Sequence, residues 1–360
     1  MTTLSQISTT KVAWFQKSLR SLLVGMVCFN ASATSSLSQQ QDYQEALKNP
    51  QTAVLNAPDT GIRGDLTPSN LKAWLKRARL LNVKLFSHPS CLTVTQTDTK
   101  GGSSTAHLFF VRYRPDCARD QPFKMAFIIK ELPSKKAMRE AVNLNVLQRS
   151  PYLRELGKVR NPSLPQMTFA EDFYRYYDAR GQEKFIVLLH SAKGHSLVEY
   201  LRLGNNPQTI QAFKKLGEVL GHFQKRFMGG QNCLLTGGTD LGQCTTIVHG
   251  DFHPNNIFYD GKFIYFIDTE TMAQSLENRK SFMDDAVRFY ALPMYAWRKN
   301  SKLYFPLYKV FLEAYVGELS PDPNIRKQIR SAIIDKVRNE KNNPRYQWNR
   351  NARKQKPKRR

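Results

Sequence analysis

Acidic residues are scarce in this chain: 29 Asp and Glu stand against 54 Lys and Arg in 360 residues, leaving a formal net charge of +25. That balance disfavours cationic ligands and favours polyanions as partners, such as an inositol polyphosphate, a phosphoinositide or nucleic acid. Cysteines number five and none are spaced CxxC, so they do not form a zinc site. Long apolar runs are missing as well. The run Leu22 to Phe29 is too short to span a bilayer, and no other stretch is long and apolar enough for a transmembrane helix. No GxGxxG fingerprint occurs; the turn Lys100 to Ser104 offers only backbone N–H groups of the kind that cover phosphates. There is no internal repeat.

The chain ends carry compositional signals. Lys11, Lys17 and Arg20 precede the apolar run, and Ala31-Ser32-Ala33 follows it, the three-part layout of a secretory signal peptide with cleavage expected after Ala33. Beyond Ala33 four cysteines remain, an even number that permits disulfides. Pairing Cys91 with Cys117 and Cys233 with Cys244 would keep each bridge local, and free buried thiols are an equally ordinary outcome. Beyond Ala33 no Asn-x-Ser/Thr acceptor with x other than Pro occurs, which favours a bacterial source over a eukaryotic secretory one. Residues 336–360 hold eleven Lys or Arg and one Glu, a tail of net charge +10.

Between these ends the periodicity alternates strands and helices. Residues 34–65 show no sustained apolar period and read as a linker, after which Thr67-Pro68-Ser69 opens an amphipathic helix through Leu71, Trp74 and Leu75. Strands are expected at Leu92 to Thr97, Ala106 to Tyr113 and Lys124 to Leu132, with two more within 165–190. In the third of these, period two puts Lys130 at the end of an apolar face with Ala126 and Ile128. A following helix has the stripe Ala137, Ala141, Leu144 and Leu147, and Glu140 lies within it. A carboxylate on a buried stripe needs a cation, and Lys130 is the expected partner. Helices are also expected from Ser196, over the stripe Ile210 to Phe227, from Asp284-Asp285, through Tyr304 to Tyr315, and through Ile329 to Val337.

The most informative stretch is His249 to Glu270, HGDFHPNNIFYDGKFIYFIDTE. Asp251, Asn256 and Asp268 bring two acids and an amide into twenty residues, and Asp260-Gly261 between two apolar runs predicts a two-residue type I′ hairpin. Phosphoryl transfer needs such a set: a carboxylate beside an acceptor hydroxyl and oxygen ligands for Mg²⁺. The segment resembles the aminoglycoside and choline phosphotransferase branch of the protein-kinase-like superfamily, whose loop reads HGDxHxxN followed by a hydrophobic strand and ID.

That resemblance implies Asp251 as catalytic base or hydroxyl-orienting residue, His249 as brace of the catalytic loop, and Asn256 and Asp268 as ligands of Mg²⁺ or Mn²⁺. It further implies that Lys130, paired with Glu140, holds the ATP phosphates, and that backbone groups of the hinge His190 to Gly194, including His190 and Ala192, contact adenine. Thr269-Glu270 in place of Phe-Gly, and His253-Pro254 in place of Lys-Pro, separate the chain from conventional protein kinases. Ile128 stands where kinases usually carry a small Ala over the adenine. The expected fold is α+β and bilobal: signal peptide 1–33, linker and accessory helix 34–84, N-terminal lobe 85–190, mainly helical C-terminal lobe 191–335 and basic tail 336–360. The expected activity is transfer of the ATP γ-phosphoryl group to a hydroxyl of a protein or small molecule. Export combined with ATP chemistry points to an effector acting in a host cell. The rival expectation is a nucleotide- or polyanion-binding pseudokinase.

Overall fold

Alternating apolar side chains in three successive segments pair as antiparallel strands: β2 (Leu92–Thr97), β3 (Leu108–Tyr113) and β4 (Met125–Leu132). In the computed structural model they belong to a six-stranded sheet ordered β1-β6-β7-β4-β3-β2, with β1 at Asp59–Arg63, β6 at Ala170–Tyr177 and β7 at Glu183–Leu189. The structure describes residues 57–77, 92–97, 107–113, 125–132, 161–167, 170–189, 191–229, 233–234, 241, 243–272, 280–296 and 301–340. Strand β1 lies inside the segment expected to be a linker. It pairs parallel with β6, a long-range contact that local periodicity does not encode.

Helix α1 (Pro68–Arg77) covers one face of this sheet. Thr67 and Asn70 close its N-terminus reciprocally: Asn70 N–H donates to Thr67 Oγ1 at 3.2 Å and Thr67 N–H to Asn70 Oδ1 at 2.8 Å. Leu71, Trp74 and Leu75 then pack on Phe109, Val111, Phe127 and Ile129, with Trp74 edge-on to Tyr174 at 4.9 Å. This apolar cluster is separate from a second, larger one built by described residues between Leu164 and Val337.

The larger core is mainly helical. Ser196 caps α2 (Leu197–Leu203) in a capping box with Glu199, and Asn206 with Pro207 starts α3 (Pro207–Arg226). Helices α4 (Asp284–Ala296), α5 (Ser301–Leu319) and α6 (Pro323–Glu340) complete it, giving six helices among the described residues. Gly217 and Gly221 let α3 press directly on α5: a Cβ at Gly217 would lie 2.3 Å from the carbonyl oxygen of Phe311. Among the described residues no helix is long and apolar enough to cross a membrane.

A small sheet ordered β5-β11-β10-β8 joins the two regions of sequence, with β5 at Gln166–Met167, β8 at His195–Ser196, β10 at Ile257–Tyr259 and β11 at Ile264–Phe266. Strands β9 (Thr245–Thr246) and β12 (Lys280–Ser281) form a two-stranded pair beside it. The β10–β11 hairpin departs from the expected two-residue turn. Tyr259 pairs with Ile264, so the loop is four residues long. Only Gly261 among its residues has positive φ, 94°, whereas a type I′ turn requires two such residues. Asp260 explains the choice: its Oδ1 accepts from Lys262 N–H at 2.9 Å and Phe263 N–H at 2.7 Å, closing the wider loop. Of the two local pairings considered, Cys233–Cys244 is bridged, with an S–S distance of 2.10 Å. Cys91 and Cys117 lie outside the described residues.

Candidate active site

Strand β9, the loop after it and the β10–β11 hairpin bring Asp251, Asn256 and Asp268 to one place. A single 3₁₀ turn, Pro254–Asn256, links the loop to β10, and Asn256 is buried there. Its Nδ2 donates to the Asp251 carbonyl at 3.0 Å and to Asp251 Oδ2 at 3.3 Å. That orientation leaves Asn256 Oδ1, the atom a metal would take, without a hydrogen bond among the described residues. Asp268 follows the hairpin in left-handed conformation, φ 59° and ψ 48°. Such geometry is uncommon outside glycine, persists only when the surroundings enforce it, and clusters at functional sites.

Lys130 reaches Asp268 from the large sheet. Its Nζ lies 2.9 Å from Asp268 Oδ1 although 138 residues separate them, and the lysine is only 6% exposed. The expected partner Glu140 lies outside the described residues, as does His190; Ala192 is half-buried in the connection between β7 and β8. The turn Lys100 to Ser104 is likewise outside them.

His249 is fully buried with both ring nitrogens engaged. Nε2–H donates to the Ile267 carbonyl at 2.9 Å, and Nδ1 accepts from Asp251 N–H at 3.3 Å, which fixes the tautomer. Burial pushes the imidazole down to about 4, against the Ile267 hydrogen bond, so the ring is neutral at neutral pH. It acts as a positioning residue, tying the loop to the end of β11. Thr271 Oγ1 donates to the His249 carbonyl from the other side.

Below the loop sits Asp285, 1% exposed. Its Oδ2 accepts from His249 N–H at 2.8 Å and Gln224 Nε2 at 3.1 Å, and its Oδ1 from Gly250 N–H at 3.0 Å. Tyr315 hydroxyl donates to Gln224 Oε1 at 2.5 Å, so α3, α4 and α5 all hold the loop. Although Asp285 stands in the first turn of α4, these hydrogen bonds make it a brace of the loop. Burial pushes its carboxyl up to about 6 despite the loop N–H groups.

Asp251 has different neighbours. Arg288 Nη2 contacts Oδ1 at 2.5 Å, and His253 Nε2 lies 3.5 Å from Oδ2. Burial would raise its carboxyl, but the His253 hydrogen bond and the Arg288 guanidinium outweigh burial and hold it well below the usual carboxylate range. Arg288 escaped sequence inspection. Its signal was its spacing: three residues after Asp285 it shares the loop-facing side of α4.

A second group missed by sequence reasoning lies on the other face of β4. Glu131, 5% exposed, accepts from the Tyr176 hydroxyl and contacts His107 Nδ1 at 2.5 Å. The period-two count that singled out Lys130 also puts Glu131 in line with Phe127 and Ile129, and that was its signal. Burial, then the Glu131 hydrogen bond, keeps the Tyr176 phenol protonated.

The pair His249 and Asp285 yields a prediction. Asp285 holds a proton up to about pH 6 when folded but only to 3.8 when unfolded, so it stabilises the fold increasingly as pH falls across that window. His249 resists protonation until about pH 4 when folded but accepts a proton near 6.5 when unfolded; its contribution is complete above 6.5 and is lost as pH falls through about 4. At 1.36 kcal/mol per unit the two effects are each roughly 3 kcal/mol and nearly offset. Asp285→Asn removes the compensating arm. Relative to wild type, its unfolding free energy is expected to drop by about 3 kcal/mol more between pH 6.5 and 4. Urea titrations at both pH values check this, and parallel profiles would contradict it.

Comparison with models of known families and with curated proteins finds no match for this chain.

Proposed function

We propose that the chain is a protein-kinase-like phosphotransferase that moves the γ-phosphoryl group of ATP to a hydroxyl with Mg²⁺ or Mn²⁺. The observation that carries this proposal is the convergence of Lys130 on Asp268 beside the Asp251–Asn256 loop. A nearly buried cation and three oxygen-bearing side chains in one place match the needs of phosphate and divalent metal. Among the described residues no group of three or more His, Cys, Asp or Glu could hold a metal alone. Mg²⁺ is bound by one or two carboxylates together with nucleotide phosphates, and Asp268 with Asn256 offers such a partial set.

In this scheme Asp268 and Asn256 Oδ1 would hold the metal, which when bound would supply positive charge against the transferred phosphate. Lys130 turns from Asp268 to the phosphates. Asp251 orients the acceptor hydroxyl and receives its proton as the new P–O bond forms and the bond to ADP breaks. Export through residues 1–33, action in a host cell and regulation by a polyanion belong to the same proposal. The Cys233–Cys244 bridge supports export, because disulfides persist in oxidising compartments, and the net charge of +25 supports the polyanion.

Incubating the purified protein with γ-labelled ATP and Mg²⁺ or Mn²⁺, alone and with a host-cell lysate, tests the proposal. Label is expected on protein or on a small molecule, and only with metal. Nucleotide binding without transfer would establish the pseudokinase alternative, which the half-buried Ile128 on the Lys130 face of β4 favours. No binding at all would remove both.

A further inference from the structure

Arg288 does more at this site than the reaction scheme uses. Its contact with Asp251 Oδ1 is its one hydrogen bond among the described residues, and its Nε has no partner there. The side chain is 40% exposed and the Asp251 side chain 30%, so the pair faces solvent. Asp251 does not depend on Arg288 for its placement, since Asn256 and His253 already contact its other oxygen and His249 receives its N–H. A guanidinium presents five donors in a fixed planar fork suited to carboxylate or phosphate, and most of this fork is unspent. Fixed beside the carboxylate that receives the hydroxyl, it repels cationic acceptors and attracts those carrying an anion.

Resting on the phosphotransferase assignment above, we propose that Arg288 determines acceptor specificity by binding a carboxylate or phosphate close to the reacting hydroxyl. The acceptor is therefore an anionic alcohol. Two sources share that chemistry, a serine or threonine flanked by acidic residues and a phosphorylated polyol. The ion pair with Asp251 is the arrangement Arg288 takes before such a group arrives, and sharing its fork with the acceptor also frees a lone pair on Asp251 for the hydroxyl.

The experiment compares matched acceptors that differ in one charge, using the full chain and MgATP. Glycerol is set against glycerol 3-phosphate, and a serine peptide flanked by Glu against the same peptide with Gln. Wild type is expected to prefer the charged member of at least one pair in kcat/KM, and the responding pair identifies the source of the anion. Arg288→Gln is expected to lower the charged-to-neutral ratio by about 10- to 100-fold, the worth of one charge-assisted hydrogen bond, and Arg288→Lys to recover part of it. The ratio cancels any general effect on Asp251. Melting curves verify folding, and if Arg288→Gln does not fold, the ratio for Arg288→Lys decides. An unchanged ratio, or transfer only to neutral acceptors, overturns this assignment and leaves the phosphotransferase standing. ATP hydrolysis without use of either charged acceptor overturns it too. Absence of metal-dependent nucleotide binding in wild type overturns both.

Discussion

Asp251→Asn is expected to lower phosphoryl transfer by about 10²- to 10⁴-fold while MgATP binding persists, whereas Asp268→Ala is expected to abolish metal-dependent nucleotide binding itself. The two acids stand at different ends of the proposed chemistry. Asp251, proposed to face the acceptor, touches Asn256, His253 and Arg288. Asp268 is paired with Lys130 at the position proposed for the phosphates, so its loss removes a hard oxygen ligand and leaves Lys130 without this carboxylate. Calorimetric titration of MgATP separates binding from turnover in both variants. Full transfer by either variant would sink the assignment, and so would equal loss of binding in both.

The largest effect on stability is expected from Asp285→Ala. The substitution strands three buried donors, the N–H groups of His249 and Gly250 and the Gln224 amide. Each unsatisfied donor costs about 1–3 kcal/mol. Relief from burying a carboxylate, whose pKa is already pushed up to about 6, offsets part of this. The expected net loss is about 3 kcal/mol at pH 7, read from chemical denaturation. A loss below about 1 kcal/mol would mean that the loop finds other partners and that the hydrogen bonds to Asp285 do not hold it.

Local signals in the sequence located most of the elements. The helix expected from Ser196 starts there, because the Ser196 side chain acts within one turn in a capping box with Glu199. The strands β2, β3 and β4 follow from alternation over six to eight residues. Asp251, Asn256 and Asp268 were legible as a group because a short hairpin keeps them close however the rest of the chain folds. What escaped depends on distant partners. The pairing of β1 with β6, the ion pair of Arg288 with Asp251 and the contact of Glu131 with Tyr176 join positions that no window of sequence holds together. The four-residue turn at Asp260 escaped for another reason: a side chain competing for backbone N–H groups overrode the dipeptide preference.

The hydrogen bonds from Tyr315 through Gln224 to Asp285 make the loop at His249 a thermodynamic part of the helical core. Loops that carry chemistry commonly open at low free energy, well before the domain unfolds. Here the His249 and Gly250 amides both donate to a buried carboxylate of α4 that Gln224 of α3 also holds, so releasing them disturbs the packing of the helices. Their hydrogen-exchange protection should therefore equal that of the slowest amides in α3. Warming would then extinguish activity and helix content along one curve, with no folded but inactive stage between them.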